Sequence, residues 1–246
     1  MQRWLVLLLL LLASLARSEP RTVPLYVYHD FPPYLVAGLP DLSEALIRIL
    51  NREAAGRYHF ELTVLPRRRV DALIAKANWE GVVAWVNPQW IGNNARHLAW
   101  SPPLIDEIEW WVVRDALPLT QAQIEQGRGY RFGGLLGHRY VELDAAVRAG
   151  GLTRFDTASM QSLAHMLLAG RVDVITMPDS TEQWFADRWP AWRGATHLVS
   201  RNSAYQRFLL SNAADAQLTH FLAEAVPAIR ADPAWPQPLA PADTHR

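Results

Sequence analysis

Val23-Pro24-Leu25-Tyr26-Val27-Tyr28 runs into His29-Asp30-Phe31-Pro32-Pro33-Tyr34, and this junction decides the fold. The first six residues have the β-branched and aromatic content of a strand. The two prolines after Phe31 then fix φ and remove two backbone donors, so the strand must end and open into a turn. Phe31 and Tyr34 flank that turn and are held stiffly at a sheet edge. Such a pair serves either to stack on a small solute or to pack the turn itself.

Upstream, Met1-Gln2-Arg3 is a positive start, Leu5 to Leu12 an unbroken apolar run, and Ser14-Leu15-Ala16 a small-x-small site. These are the parts of a secretory leader, so residues 1–18 are expected to be a signal peptide cleaved near 16–18. The exported chain then has roughly 225 to 230 residues. The apolar run is short for a bilayer span, and Glu19 and Arg21 follow it; a retained anchor is the alternative. The chain has no cysteine, which removes disulfides, thiolate metal sites and a lipidated cysteine from consideration. Half of its residues are hydrophobic, so a core in one large domain or two lobes can hold the fold. Lys and Arg number 24 and so do Asp and Glu, and losing Arg3 with residues 1–16 leaves a net charge of −1. That balance excludes the basic field needed for nucleic acid or an anionic membrane.

Downstream, strand and helix patterns alternate, which is an α/β sequence. Asp41 reads as an N-cap with Glu44 three residues on, ahead of the stripe Leu42, Ala45, Leu46, Ile49 and Leu50. Tyr58 to Val64 alternates as a strand. Val70, Leu73, Ile74 and Ala77 have helical spacing after Arg67-Arg68-Arg69, a triplet that reads as a solvated helix start or a partner contact. Gly81 introduces a buried strand, Val82 to Val86, and Glu109 to Arg114 is another. Arg131 to Leu136 is a strand ending at Gly137, after which His138-Arg139-Tyr140 is expected to open a helix carrying Leu143 and Val147. Leu163, Met166 and Leu167 mark a helix closed by Gly170, before the strand Val172 to Met177. Tyr205 to Leu210 is a strand, and a last helix follows with Leu218, Phe221, Leu222, Ala225 and Ile229 on one side. That helix is expected to kink at Pro227 and end at Asp232-Pro233, and the tail from Pro236 to Pro241 to be irregular.

Four segments, in this order, resemble the bacterial extracellular solute-binding proteins of family 3, periplasmic receptors best known for polar amino acids. They are Phe31-Pro32-Pro33-Tyr34, Leu98-Ala99-Trp100-Ser101-Pro102-Pro103, Phe132-Gly133-Gly134-Leu135-Leu136-Gly137 and Leu167-Leu168-Ala169-Gly170-Arg171-Val172-Asp173. The resemblance implies a type II periplasmic-binding-protein fold: two α/β lobes joined by two crossing strands, near Glu109 to Arg114 and His197 to Leu210. Lobe 1 would be residues 22–112 plus 203–246 and lobe 2 residues 113–202, with the ligand between them and the hinge closing over it.

Carried over residue by residue, the family's ligand-stacking aromatic falls on Phe31, and the aromatic packed below it on Tyr34. The arginine that clamps an amino acid's carboxylate falls on Asn94, with Arg96 the nearest guanidinium. The preceding hydroxyl-rich segment reads Trp85-Val86-Asn87-Pro88-Gln89-Trp90. Asn87 and Gln89 retain hydrogen-bonding capacity there, and Trp85 or Trp90 offers an apolar wall. Where the family uses Gly-Thr in lobe 2, this chain has Gly137-His138-Arg139, either an anion site at a helix start strengthened by Arg139 or simply exposed residues. The aspartate that grips the amino group falls on Pro178, with Asp179 one position along as ligand contact or helix cap.

The implied function is non-catalytic capture of a small polar or aromatic-containing solute outside the cytoplasm, by a monomer that needs no cofactor and hands its ligand to a membrane permease for ABC-type uptake. A sensor or partner-binding module with a degenerate pocket is one alternative. An exported cyclohexadienyl-type dehydratase is the other, with Asp30, His138 or Asp179 as proton donor. No metalloprotease, hydrolase-elbow or phosphate-loop motif is present, and the adjacent His29-Asp30 lacks metal-ligand spacing.

Overall fold

The computed structural model describes residues 19–91, 96–233 and 235. In chain order its elements are β1 (Arg21–Val27), α1 (Leu42–Ala54), β2 (Tyr58–Val64), α2 (Arg67–Ile74), β3 (Val82–Val86), the short α3 (Pro88–Ile91), β4 (Leu98–Trp100), β5 (Ile105–Arg114) and α4 (Gln121–Glu125). There follow β6 (Arg131–Leu135), α5 (Val141–Arg148), β7 (Thr153–Thr157), α6 (Met160–Leu168), β8 (Val174–Pro178), α7 (Asp179–Arg188), α8 (Pro190–Arg193), β9 (Thr196–Asn212) and α9 (Ala216–Ala231). The expected leader and the tail from Pro236 lie outside the described residues, as does Asn94.

The strands form an open, curled sheet in the order β2-β1-β3-β9-β5-β8-β6-β7, with β4 also on β9. The halves have similar wiring: β1 is parallel to β2 and β3, and β6 is parallel to β7 and β8. Between them β5 and β9 run antiparallel from Ile105 opposite Arg207 to Arg114 opposite Thr196. β9 then continues into the first half, where Phe208, Leu210 and Ser211 pair with β3. This is the two-lobe periplasmic-binding-protein fold, with the β5–β9 ladder as its crossing pair.

Local chemistry explains the elements. The Asp41 carboxylate accepts from Glu44 N at 2.8 Å and caps α1, whose Leu46, Ile49 and Leu50 are fully buried. Gly133 lets α6 lie against β6, since a Cβ there would stand 2.6 Å from a Leu163 methyl. Asp173, after the Gly170 turn, accepts from Arg131 N, Nε and Nη2 and from Arg114 Nη2 at 2.7–2.9 Å, tying β5 and β6 to the start of β8. One continuous apolar cluster joins Leu25, Phe31 and Phe221 to Met160, Leu163 and Trp192, so the core passes from one lobe into the other.

Two expectations change. β5 and β9 are longer than their patterns, because pairing with each other holds Asp106 and Glu107 of β5, and Thr196 to Ser200 and Ser203 of β9, in strand geometry. The helix expected at His138 starts at Val141 instead. Tyr140 is pulled out of helical geometry (φ −125°, ψ 78°): its ring packs edge-on against Phe132 at 4.8 Å and its hydroxyl accepts from Leu135 N at 3.0 Å.

Candidate ligand-binding cleft

A cavity of about 340 Å³ lies where the lobes meet. Lobe 1 contributes His29 and Phe31 behind β1, Arg67 and Asp71 of α2, and Trp90 of α3; lobe 2 contributes the turn Gly137-His138-Arg139, Met160 and Thr176. Glu109, Tyr205 and Arg207 of the crossing strands also line it. A wider cavity of about 630 Å³, walled by Asn87, Asp106, Glu107 and Asp179, adjoins it at Gln89 and Tyr205.

Arg207 is the organising residue. It is 1% exposed, and its Nη1 donates to His29 Nε2 (2.9 Å) and the Trp85 carbonyl (3.0 Å), while Nη2 donates to the Tyr205 hydroxyl (2.8 Å). Its guanidinium carbon lies 4.5 Å from the ring centre of Tyr34 and 5.2 Å from those of Trp90 and Tyr205. Three aromatic faces and three acceptors replace the water this cation has lost. The Trp85 carbonyl is aimed by an unusual backbone: Trp85 has φ +66°, and the β3–β9 register shifts between Val83 and Val86.

Glu107 sits on β5 two residues past Ile105, the partner of Arg207, with its Oε1 3.7 Å from Arg207 Nε. Tyr34 Oη, from lobe 1, and Ser180 Oγ (3.0 Å), from lobe 2, both donate to that Oε1. Burial, reinforced by the neighbouring Asp179 carboxylate, pushes Glu107 up to about 8 against the opposing pull of Arg207. Its Oε2 has no partner within hydrogen-bond distance among the described residues. A second cross-lobe bond runs from Thr181 Oγ1 to the Pro32 carbonyl at 2.7 Å.

Two histidines face each other across the cleft, His29 from lobe 1 and His138 from lobe 2, with ring centres 6.4 Å apart and planes at 81°. Burial holds His29 well below the usual imidazole range, helped by Arg207, His138 and Arg67. It lowers His138 to about 4, helped by Arg67, Arg207 and Arg154. Both rings are therefore neutral at pH 7, in a positive environment.

Of the residues singled out in the sequence, Phe31, Gln89, Gly137, His138 and Arg139 line the smaller cavity, and Asn87, Gln89 and Asp179 the wider one. Phe31 is 4% exposed and packs edge-on against His29 at 5.4 Å. Asp179 accepts from Ile108 N at 3.2 Å, and α7 has no side-chain cap, so it is not the helix cap. Gly137 takes φ +82°, which turns His138 inward.

Three of the proposed contacts lie elsewhere. Tyr34 is fully buried beneath Phe31 and spends its hydroxyl on Glu107. Trp85 points into the lobe 1 core, where its indole donates to Ser43 Oγ at 3.0 Å and stacks on Trp235, so only its carbonyl serves the site. Arg96 is exposed on the turn before β4 and borders neither cavity. The helix-start anion site at His138-Arg139 does not form either. Those residues precede α5 in a turn, and Glu142 and Asp144 already occupy the helix's first turn. Arg67, read as part of a helix-start or partner-contact triplet, lines the smaller cavity, while His29, Glu107, Tyr205 and Arg207 were missed. Their only sequence signal is charge or polarity inside or beside strand patterns.

No protein-family profile matches the chain, and no curated protein matches it. Solved structures do. An ancestral arginine-binding protein bound to arginine aligns over 88% of this chain and 96% of its own, at 13% identity and a TM-score of 0.69. Holo ArgBP from T. maritima aligns over 86% and 92%, at 16% identity and 0.65. The Bordetella pertussis BvgS periplasmic VFT2 domain aligns over 85% and 88%, at 17% identity and 0.59. At such identities the likeness establishes the two-lobe fold.

Proposed function

We propose that this protein is a non-catalytic extracytoplasmic receptor that captures a small polar or aromatic-containing solute between its lobes, for delivery to an ABC-type permease. The observation that carries the reading is the 340 Å³ cavity, whose wall is drawn from both lobes and from both crossing strands. Its volume suits a metabolite-sized ligand. A solute that touches both walls binds the closed arrangement better than an open one, and this difference drives closure. The arginine-binding neighbours support a binding role rather than catalysis, and the leader-like residues 1–18 support a place outside the cytoplasm. The division into 22–112 plus 203–246 and 113–202 belongs to the same proposal; the sharing of β5 and β9 by both halves of the sheet supports it.

The test is a panel of amino acids, amines, organic acids and sugars, followed by thermal shift and indole fluorescence. A solute at a hundred times its Kd stabilises by about 2.7 kcal/mol. For a chain of this size that raises Tm by roughly 5 to 10 °C. Trp90, on the cavity wall, should report the same solute and fall silent in Trp90→Phe. A panel in which no solute moves either signal would refute the reading.

One feature favours a second reading. The lobes are joined by Thr181 to Pro32 and by Tyr34 and Ser180 to Glu107, bonds made by the chain's own groups. A sensor or partner-binding module would use such a self-joined body as its docking surface. Co-purification with a membrane sensor, combined with a silent solute panel, would establish that role.

A further inference from the structure

The ladder of β5 and β9 that crosses between the lobes shifts register between Glu109 and Trp110. Ahead of the shift, Ile105 to Glu109 pair with Ser203 to Arg207, the part of β9 that runs on into β3 of lobe 1. Beyond it, Trp110 to Val113 pair with β8 of lobe 2. A ladder bends most readily at such a shift. Bending there carries Glu107 with lobe 1, and carries Asp179, Ser180 and Thr181, at the start of α7, with lobe 2.

Glu107 stands across this bend. Its Oε1 accepts from Tyr34 of lobe 1 and from Ser180 of lobe 2, and Asp179, which reaches over to Ile108 N at 3.2 Å, brings a second carboxyl against it. With the lobes together Glu107 is only 3% exposed. Two like charges out of water oppose each other, and a proton on one of them removes the conflict. Parting the lobes at the bend would take Asp179 away and admit water, so the ionised form would lose both penalties. It would keep its attraction to Arg207, whose partners His29, Trp85 and Tyr205 all lie on the lobe 1 side of the bend. The other groups around Glu107 hold their charge states near neutrality. Burial keeps Tyr34, from the turn after β1, and Tyr205, on β9, well above the usual phenol range, and keeps His29 well below the imidazole range. Arg207 stays charged, and Glu109, two residues along β5, is engaged by Tyr205 and Arg201.

We propose that bringing the lobes together takes up a proton at Glu107, so that solute is held most tightly in acid and is released as the surroundings turn alkaline. The effect on affinity rests on the solute-capture reading above, to which it adds a regulation of that site. In the joined lobes the carboxyl is held up to about 8 from an ordinary 4.5. The joined arrangement is therefore fully favoured below the lower value and should lose about tenfold against the parted one for each pH unit between the two, with no further loss beyond the upper.

The chain has no cysteine, so spin labels can be placed cleanly through Ala72→Cys and Ala145→Cys. Both positions are exposed, one on α2 and one on α5, helices whose Arg67, Asp71 and Val141 line opposite sides of the cleft. Pulsed electron resonance then reads the gap between the lobes from pH 6 to pH 9 without any solute. A short distance should give way to a longer one, their ratio falling by roughly a hundredfold over that range. Glu107→Gln, a permanent stand-in for the protonated acid, should keep the short distance throughout. Asp179→Asn, which removes the facing charge, should move the transition to lower pH. Circular dichroism of each protein at each pH separates parting from unfolding. A parent distance that ignores pH, or a change that persists in Glu107→Gln, would overturn the inference; should Glu107→Gln fail to fold, an unmoved transition in Asp179→Asn would do so. A panel solute with the same Kd at pH 6 and pH 9 would also overturn it and leave the receptor reading standing. A silent panel beside a pH-dependent gap would instead remove the receptor reading and keep the proton uptake.

Discussion

Glu107→Gln should flatten the pH dependence of stability. The buried Glu107 carboxyl is held up to about 8 from an ordinary value of 4.5. Between those values the folded chain holds a proton that the unfolded chain has lost. Folding therefore takes up a proton, and stability falls as pH rises, by about 1.4 kcal/mol per pH unit. The contribution is complete below about pH 4.5 and is gone once the pH passes 8. Over the whole window the loss is on the order of 3 to 5 kcal/mol, with the opposing pull of Arg207 already included in the value of about 8. Glutamine is the isostere of the protonated acid: its Oε1 can still accept from Tyr34 and Ser180, and its amide can donate toward Asp179. The variant should therefore match the parent near pH 5 and exceed it by a few kcal/mol near pH 9. Urea denaturation at half-unit pH steps measures both curves. Parallel curves, or a variant that is less stable throughout, would refute a protonated Glu107 and leave an ordinary ion pair with Arg207.

Asp173 should behave in the opposite sense. Burial opposes its ionisation, but hydrogen bonds from Arg131 and Arg114 outweigh it and hold the carboxylate down to about 2 from 3.8. Its stabilisation of about 2 kcal/mol is therefore present above pH 4 and lost as pH falls toward 2. Asp173→Asn should lower stability by about that amount at pH 7 and match the parent near pH 2; a gap that stays constant with pH would contradict the assignment. Thr181→Val removes the bond to the Pro32 carbonyl with little change in volume. A loss of about 1 kcal/mol, or roughly 2 to 4 °C in Tm, is expected, and an unchanged melt would show that this bond does not hold the lobes together.

The elements were legible wherever a segment has one set of neighbours along its length. Tyr58–Val64 and Val82–Val86 have the bounds their patterns suggest, and Asp41 caps the helix it precedes. β9 was half hidden because its surroundings change along its course, from a β5 ladder in lobe 2 to β3 and β4 in lobe 1. The site was less legible. The turn after β6 was placed from its glycine, but whether Tyr140 enters the helix depends on Phe132 beneath it, which no local pattern records. Arg207 and Glu107 were invisible for a related reason. A charge in a strand reads as a solvent-facing residue, and only the approach of Tyr34, Trp90 and Tyr205 from distant segments makes it an interior one. Trp85 is the converse: as a large aromatic beside the cleft it reads as a wall, yet its left-handed backbone leaves only the carbonyl for the site.

β9 runs for 17 residues. At about 3.3 Å per residue that is up to roughly 55 Å of strand, shared by both halves of the sheet and interrupted by one register shift against β5. Neither half is thus a detachable module. A fragment ending near residue 200 would keep β5 but leave Ile105 to Glu109 without their β9 partners, and the complementary piece would carry a naked edge. Excision or grafting of a single half should give aggregates, whereas insertions at the surface turns, which leave this strand whole, should be tolerated.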